Sequence, residues 1–305
     1  MAATFSFGEN MGLEGVECPM VMDVAQKTLA SSVKLKGMGL HSGRETRVHI
    51  HPAGDDAGIV FTDGKHAVAG LAVNVVDTSR GTSIGFNGTR IRTVEHLMSA
   101  LRGCGVDNAM IEVNGPEMPA LDGSALPYVE AIDSAGMIEL GTLRRPIRLT
   151  EPVCARQNGS FVLAVPAPRL TITYVLSYDH PMIGSQTIVY DPDEDDFGSE
   201  IAPARTFVLY EEVAGLLNDG LSRGGSVENV IVVWQDHMSS RLRFPDELAR
   251  HKVMDLIGDL SLVGGLLQAE VLAVKSGHAL NVEFANEVMR VMGLHELAGG
   301  ARRLL

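Results

Sequence analysis

The sequence is short of several things, and each shortage excludes a class of protein. Its three cysteines, Cys18, Cys104 and Cys154, lie far apart. An odd count with no C-x-x-C is not a disulfide framework, and it fits a reducing compartment. Basic residues are outnumbered, 25 Lys+Arg against 38 Asp+Glu, for a formal charge of −13. A non-specific nucleic-acid binder needs the opposite balance, because it neutralises phosphates with Lys and Arg. A local cluster could still hold a phosphorylated ligand. No apolar run reaches the ~18–20 residues of a membrane span. The longest candidate, residues 256–274, is broken by Asp259 and Glu270. No basic residue precedes Lys27, so a secretory signal peptide is not expected. These shortages together lead us to expect a cytoplasmic, monomeric protein with no transmembrane segment and no nucleic-acid partner. The apolar share is nevertheless 45% and the charged share 21%, which gives a globular core ample material.

Common ligand-binding motifs are missing too. Residues 37–43 do not spell G-x-G-x-x-G, and no G-x-x-x-x-G-K-[ST] occurs. Residues 191–196 faintly resemble a calcium loop, but Asp196 and Ala202 stand where the loop needs Gly and Glu, so they read as a solvated acidic turn. Gly81-Thr82-Ser83-Ile84-Gly85 matches the G-x-S-x-G nucleophile elbow. That motif works only between a strand and a helix, whereas here the hairpin signal Asn87-Gly88 follows.

What remains is a two-part α+β pattern. At roughly 100–200 residues per domain, 305 residues suggest two domains. Residues 1–25 lack periodicity and read as a poorly ordered extension. The N-terminal domain is expected at 26–145, the C-terminal domain at 146–305, with a junction at Arg144-Arg145-Pro146. In the first half, alternation marks strands at 47–51, 58–62, 70–76 and 109–113. Val94, Leu97, Met98 and Leu101 form one helical stripe that Thr93 could cap, and a second helix covers 127–135. In the second half, strands are expected at 148–153, 160–165, 170–177, 230–234 and 271–275, with helices at 207–218, from Pro245 to about 263, and at 284–294. Each half is strands plus about two helices, which suggests two similar domains, each a sheet layered against helices.

One constellation has chemical meaning. Glu95-His96 opens the first helix, His251 and Asp255 are four apart on the long helix, and Asp259 extends their row. His278 follows a strand in a Ser-Gly-His turn. Two His and one carboxylate are the ligand set of an open catalytic zinc site, and an adjacent Glu that is not a ligand could take a proton from water. Residue by residue the bland reading competes: H-x-x-x-D on a helix also makes surface ion pairs, and Glu suits any helix start. His49 and His51 share one face of a strand and read as surface residues. Cys104, at a helix end among apolar residues, reads as packed.

Six segments in order carry a resemblance: Gly37-x-Gly39-Leu40-His41-Ser42-Gly43, Thr93-Val94-Glu95-His96-Leu97, Leu121-Asp122-Gly123-Ser124-Ala125, Arg205-Thr206-Phe207, His251-Lys252-x-x-Asp255-x-x-Gly258-Asp259, and Lys275-Ser276-Gly277-His278-Ala279-Leu280-Asn281. From about Gln26 onward the chain resembles the UDP-3-O-acyl-N-acetylglucosamine deacetylases of bacterial lipid A synthesis. The resemblance implies two similar α+β domains with the active site between their helix layers. It implies one catalytic Zn2+ held by His96, His251 and Asp255, with Glu95 as general base and His278 as polarising histidine. Asp259 would orient His278, Thr206 would hydrogen-bond the oxyanion, Lys252 and Phe207 would contact the UDP-acyl-glucosamine substrate, and Asp122 would support the site from behind. The resemblance allows either Glu95 or His278 to protonate the leaving amine. Gly81 stands where many family members carry a cysteine. Residues 208–232 align with the family's acyl passage, so Leu209, Val213, Leu216, Leu217 and Leu221 would line a tunnel or form an ordinary helix core. The reaction expected is removal of the N-acetyl group as acetate. The alternatives are a zinc amidohydrolase of another acylated sugar, and a non-catalytic lipid- or nucleotide-binding protein of the same fold.

Overall fold

A computed structural model of the chain describes residues 24–86 and 88–294. Most of the expected extension at 1–25 therefore lies outside the described residues, as do Cys18 and Asn87. The first half runs β1 (Ala25–Leu29), β2 (Val33–Met38), β3 (Glu45–Pro52), β4 (Ile59–Thr62), β5 (Ala67–Ala69), a 3-10 turn (Ala72–Asn74), β6 (Val75–Asp77), β7 (Ser83–Phe86), β8 (Thr89–Ile91), α1 (Glu95–Gly103), β9 (Ala109–Asn114), α2 (Leu126–Ala135) and β10 (Met137–Leu143). The second half continues with β11 (Ile147–Arg148), β12 (Val153–Gln157), β13 (Ser160–Pro166), β14 (Thr171–Ser177), β15 (Ser185–Tyr190), α3 (Phe197–Glu200), β16 (Phe207–Leu209), α4 (Tyr210–Asn218), β17 (Ile231–Val233), α5 (Glu247–Ser261), β18 (Leu267–Val274) and α6 (His278–Val291).

The two halves share one sheet topology. The first sheet has the order β2-β3-β9-β4-β5, the second β12-β13-β18-β14-β15. Counted in chain order, the five strands named in each fall in the order first-second-fifth-third-fourth. Within each of these five-strand orders the last strand pairs parallel with the third and the other pairings are antiparallel, and the second sheet gains a short sixth strand, β11, parallel to the end of β18. The strands alternate as half-buried strands must: Thr46, Val48 and Ile50 of β3 and Ile111 and Val113 of β9 point inward, with Arg47 and Glu112 on the other face. One continuous apolar core includes residues of both sheets and of α1, α2, α5 and α6.

Five local expectations give way. Residues 148–153 are not one strand: Ile147 and Arg148 pair with β18, Val153 begins β12, and 149–152 join them outside any strand. Thr93 does not cap α1. Its φ is +58°, and its hydroxyl donates to the buried Glu117 carboxylate, 3.1 Å away, so the cap position falls to Val94. Residues 70–76 split into the 3-10 turn and β6 rather than forming one strand. Residues 207–218 split as well, because Phe207, Val208 and Leu209 pair in parallel with Ile231, Val232 and Val233 before the chain turns into α4. The last helix begins at His278, six residues early, with Gly277 as its cap. At the G-x-S-x-G match, Ser83 starts β7, which pairs antiparallel with β8 on either side of the expected turn, so no nucleophile elbow exists.

Candidate active site

Three helices bring the candidate residues together. Helix α1 presents Glu95 and His96 in its first turn, α5 presents His251, Asp255 and Asp259 on one face, and α6 presents His278 as its first residue. The two halves can meet this closely because α5 has no side chain at Gly258. A Cβ there would overlap the carbonyl oxygen of Glu95. The glycine of the H-K-x-x-D-x-x-G-D segment is thus a packing requirement that presses α5 onto the start of α1.

His96, His251 and Asp255 are all buried, and their ligating atoms lie within 4.8 Å of one another. Asp255 Oδ1 is 3.4 Å from His251 Nε2 and 3.8 Å from His96 Nε2. His251 Nδ1–H donates to the Ala204 carbonyl at 3.1 Å, which leaves the Nε2 lone pair facing Asp255. Asp255 Oδ2 accepts from Lys252 Nζ at 2.7 Å, but Oδ1 is buried with no hydrogen-bond partner. An orphaned carboxylate oxygen between two imidazole nitrogens is costly unless a cation completes it. Protonation states agree. Burial and the neighbouring His251 push His96 down to about 3, and burial lowers His251. Burial alone would raise Asp255, but His251, Lys252 and His278 hold it well below the usual carboxylate range. Neutral imidazoles with an ionised carboxylate are the state a divalent cation requires of its ligands.

Beside this trio sits a second set of groups. Glu95 Oε2 accepts from the Thr82 amide at 2.9 Å, and burial pushes its carboxyl up to about 7 against the pull of His278. His278 Nε2 is 3.9 Å from Glu95 Oε1 and 3.8 Å from Asp255 Oδ2. Its Nδ1–H donates to Asp259 Oδ2 at 2.9 Å. Burial opposes the imidazolium, but Asp259, Asp255 and Glu95 outweigh it and raise His278 to about 9. Asp259 is fully buried and also accepts from the Thr82 hydroxyl at 2.6 Å and from Asn281 Nδ2 at 2.9 Å. Thr82 and Asn281 carried no assigned role in the sequence. The signals were nearby: Thr82 lies inside the misleading G-x-S-x-G match, and Asn281 is one turn along α6 from His278.

Glu95, His96, His251, Asp255 and His278 line a cavity of about 130 Å³ together with Thr206, Phe207 and Lys252, while Asp259, Thr82 and Asn281 stand behind that lining. Phe207 lies edge-on to both His251 and Tyr178. Leu40, Val208 and Leu209 form an apolar wall. Arg80 and Glu212, which no motif flagged, face the same cavity and make a two-armed ion pair at 3.0 Å that ties the loop before β7 to α4. Asp122 stands apart from this lining: its carboxylate accepts from Ser124 and from Arg243, which orders the loop between β9 and α2. Helix α4 is no ordinary core helix. Leu216 is its one buried residue, while Leu217 is 52% exposed.

A cation-ready trio, a separate buried carboxylate and a charged imidazole around one small cavity suit the addition of water to a polarised carbonyl. The class is that of metal-dependent hydrolases. Comparison with known proteins narrows it. The family model for LpxC, UDP-3-O-acyl N-acetylglycosamine deacetylase, matches residues 26–290. A UDP-3-O-acyl-N-acetylglucosamine deacetylase of Myxococcus xanthus is 41% identical over 92% of this chain and 91% of its own. Deacetylases of the same name from Chlamydia pneumoniae and Thermodesulfovibrio yellowstonii are 41% and 38% identical, each over 90% of this chain and 100% and 94% of their own. The chain belongs to the UDP-3-O-acyl-N-acetylglucosamine deacetylase family. No described helix is long and apolar enough to cross a membrane.

Proposed function

We propose that this protein hydrolyses the N-acetyl group of UDP-3-O-[(R)-3-hydroxyacyl]-N-acetylglucosamine, releasing acetate and the free amine, as a zinc enzyme of lipid A biosynthesis in the cytoplasm. The observation that carries the reading is the unpartnered Asp255 Oδ1 between His96 and His251, with Glu95 beside it. His96, His251 and Asp255 would hold the ion, and two His with one carboxylate suit zinc. When bound, the ion supplies Lewis-acid polarisation of the acetamide carbonyl and acidifies the attacking water.

The chain's own residues do the rest. Glu95, aimed by the Thr82 amide, accepts the proton of the water. His278, kept protonated by Asp259, and the Thr206 hydroxyl stabilise the negative charge that develops on the carbonyl oxygen. With a carboxyl near 7, Glu95 can return its proton to the departing amine, while His278 near 9 remains charged throughout. Lys252 and Phe207, both in the cavity lining, would contact the nucleotide-sugar, and Asp122 would brace the loop between β9 and α2. The apolar wall of Leu40, Val208 and Leu209 would accept the start of the 3-O-acyl chain, within a passage formed by residues 208–232. The domain limits 26–145 and 146–305 belong to the same reading, as does action as a monomer.

The test is acetate release from the 3-O-acylated UDP-sugar by the purified protein, with Glu95→Ala alongside. The reading expects turnover by the parent and severe loss in the variant. No acetate from the parent, or equal rates for both, would refute it.

A further inference from the structure

We infer that the chain has a second divalent-cation site, made by His49, His51 and Glu112 on the outer face of the first sheet. These residues lie away from the cavity. His49 and His51 alternate with the inward-facing Val48 and Ile50 of β3, so both imidazoles stand on the face opposite the core. Glu112 of β9 is the direct cross-strand partner of His49. His49 Nδ1 is 3.7 Å and His51 Nε2 3.5 Å from the same atom, Glu112 Oε2. The ligating atoms of all three lie within 4.8 Å of one another.

Two observations separate a ligand set from a chance surface cluster. First, both separations are too long for hydrogen bonds, which end near ~3.2 Å for N–H···O. They match the spacing of donors around a tetrahedral ion: two ligands at ~2.0–2.1 Å stand ~3.3–3.4 Å apart. The trio at the cavity has nearly the same separations, 3.4 and 3.8 Å. Second, the ring of His51 is already oriented. Its Nδ1 lies 2.9 Å from Ser32 Oγ. In the tautomer where Nδ1–H donates to that hydroxyl, the Nε2 lone pair points at the proposed ion. An oriented second nitrogen of this kind is the usual support of a metal-binding histidine. The His49 and His51 rings meet edge to face at 6.0 Å, so neither blocks the other.

Imidazole-rich sites of this composition suit zinc, nickel or copper rather than magnesium or calcium. The site binds more weakly than the buried trio. Its side chains are 28–48% exposed, and Lys34 of β2 pairs directly with His49 from the other side. Binding there clips β3 to β9, joining residues distant in sequence across the middle of the sheet.

The experiment is a calorimetric titration of zinc chloride into holoenzyme dialysed to one equivalent, repeated on His49→Gln and Glu112→Gln. The parent should take up a second, weaker equivalent that raises its unfolding midpoint. Both variants should lose that uptake, with affinity at least about tenfold lower, and should lose the zinc-dependent rise in midpoint. Their first equivalent and their acetate release should be unchanged, since neither residue touches the cavity. Their midpoints without added zinc report whether they fold normally, and the near-isosteric Glu112→Gln keeps the test alive if His49→Gln is destabilised. A parent that binds one equivalent only, or a second equivalent that persists at full affinity in both variants, overturns the proposal.

Discussion

Replacing Asp259 by Asn removes one negative charge and little else, which makes it a sharp probe of how His278 is kept charged. The carboxylate spreads three acceptor contacts over two oxygens: Thr82 on Oδ1, and His278 and Asn281 on Oδ2. An asparagine can keep all three neighbours. Its carbonyl takes the place of Oδ2, and its NH2 donates to the Thr82 hydroxyl, which can accept as well as donate. The geometry survives and the charge does not. The rise of His278 from 6.5 to about 9 corresponds to roughly 3 kcal/mol, at about 1.4 kcal/mol per pH unit, and Asp259 is its largest source. His278 acts as the cation, so activity should fall as pH rises through its pKa. If His278 falls back to about 6.5, its protonated fraction at about pH 7.5 drops from ~97% to ~9%, a loss of roughly tenfold, and burial pushes it further. The variant should therefore lose about one order of magnitude in kcat/KM near neutrality with its metal content intact, and its descending limb should move acid-ward by two or more pH units. The defect should shrink as pH is lowered toward the ascending limb that Glu95 sets. The assay is acetate release against pH for parent and variant. A descending limb that stays in place would refute the electrostatic role of Asp259. Loss of bound metal in the variant would make that role structural.

Further outcomes follow from other contacts. Glu95→Ala should retain the metal, because Glu95 is not among the proposed ligands, and reduce turnover by about 10²–10⁴, measured by elemental analysis and acetate release. Gly258→Ala should drive a methyl into the Glu95 carbonyl, costing about 1–3 kcal/mol by chemical denaturation and lowering turnover as α5 shifts from α1. Shortening the 3-O-acyl chain should reduce kcat/KM stepwise, at ~0.8 kcal/mol per buried methylene, with the effect blunted in Leu209→Ala. Chain-length independence would deny the passage.

Much of this architecture was legible because burial has a period. Strands β3, β9 and β14 alternate cleanly, and α1 and α5 show their rows of site residues at helical spacing. The departures share one cause: tertiary contacts that local pattern does not encode. Phe207-Val208-Leu209 belongs to no visible strand until Ile231-Val232-Val233 lies beside it. Thr93 looks like a helix cap, but a buried Glu117 claims its hydroxyl. The first turn of α6 is hidden behind Ser276-Gly277, which reads as a turn. The duplicated strand order is invisible in residue identities, because a shared topology requires only matching alternation and lengths. The site residues were readable as types and spacings, while their meeting depends on helices pressed together at Gly258.

The central claim is that a single cation sits among His96, His251 and Asp255 and that hydrolysis depends on it. Anomalous diffraction at the zinc edge, from crystals of holoenzyme with one equivalent of metal confirmed by elemental analysis, tests it most directly. The account predicts one strong peak bounded by His96 Nε2, His251 Nε2 and Asp255 Oδ1, absent from metal-stripped crystals whose protein has lost acetate release and regains it with zinc. A metal-stripped protein without that peak that still releases acetate at the full rate would contradict the account.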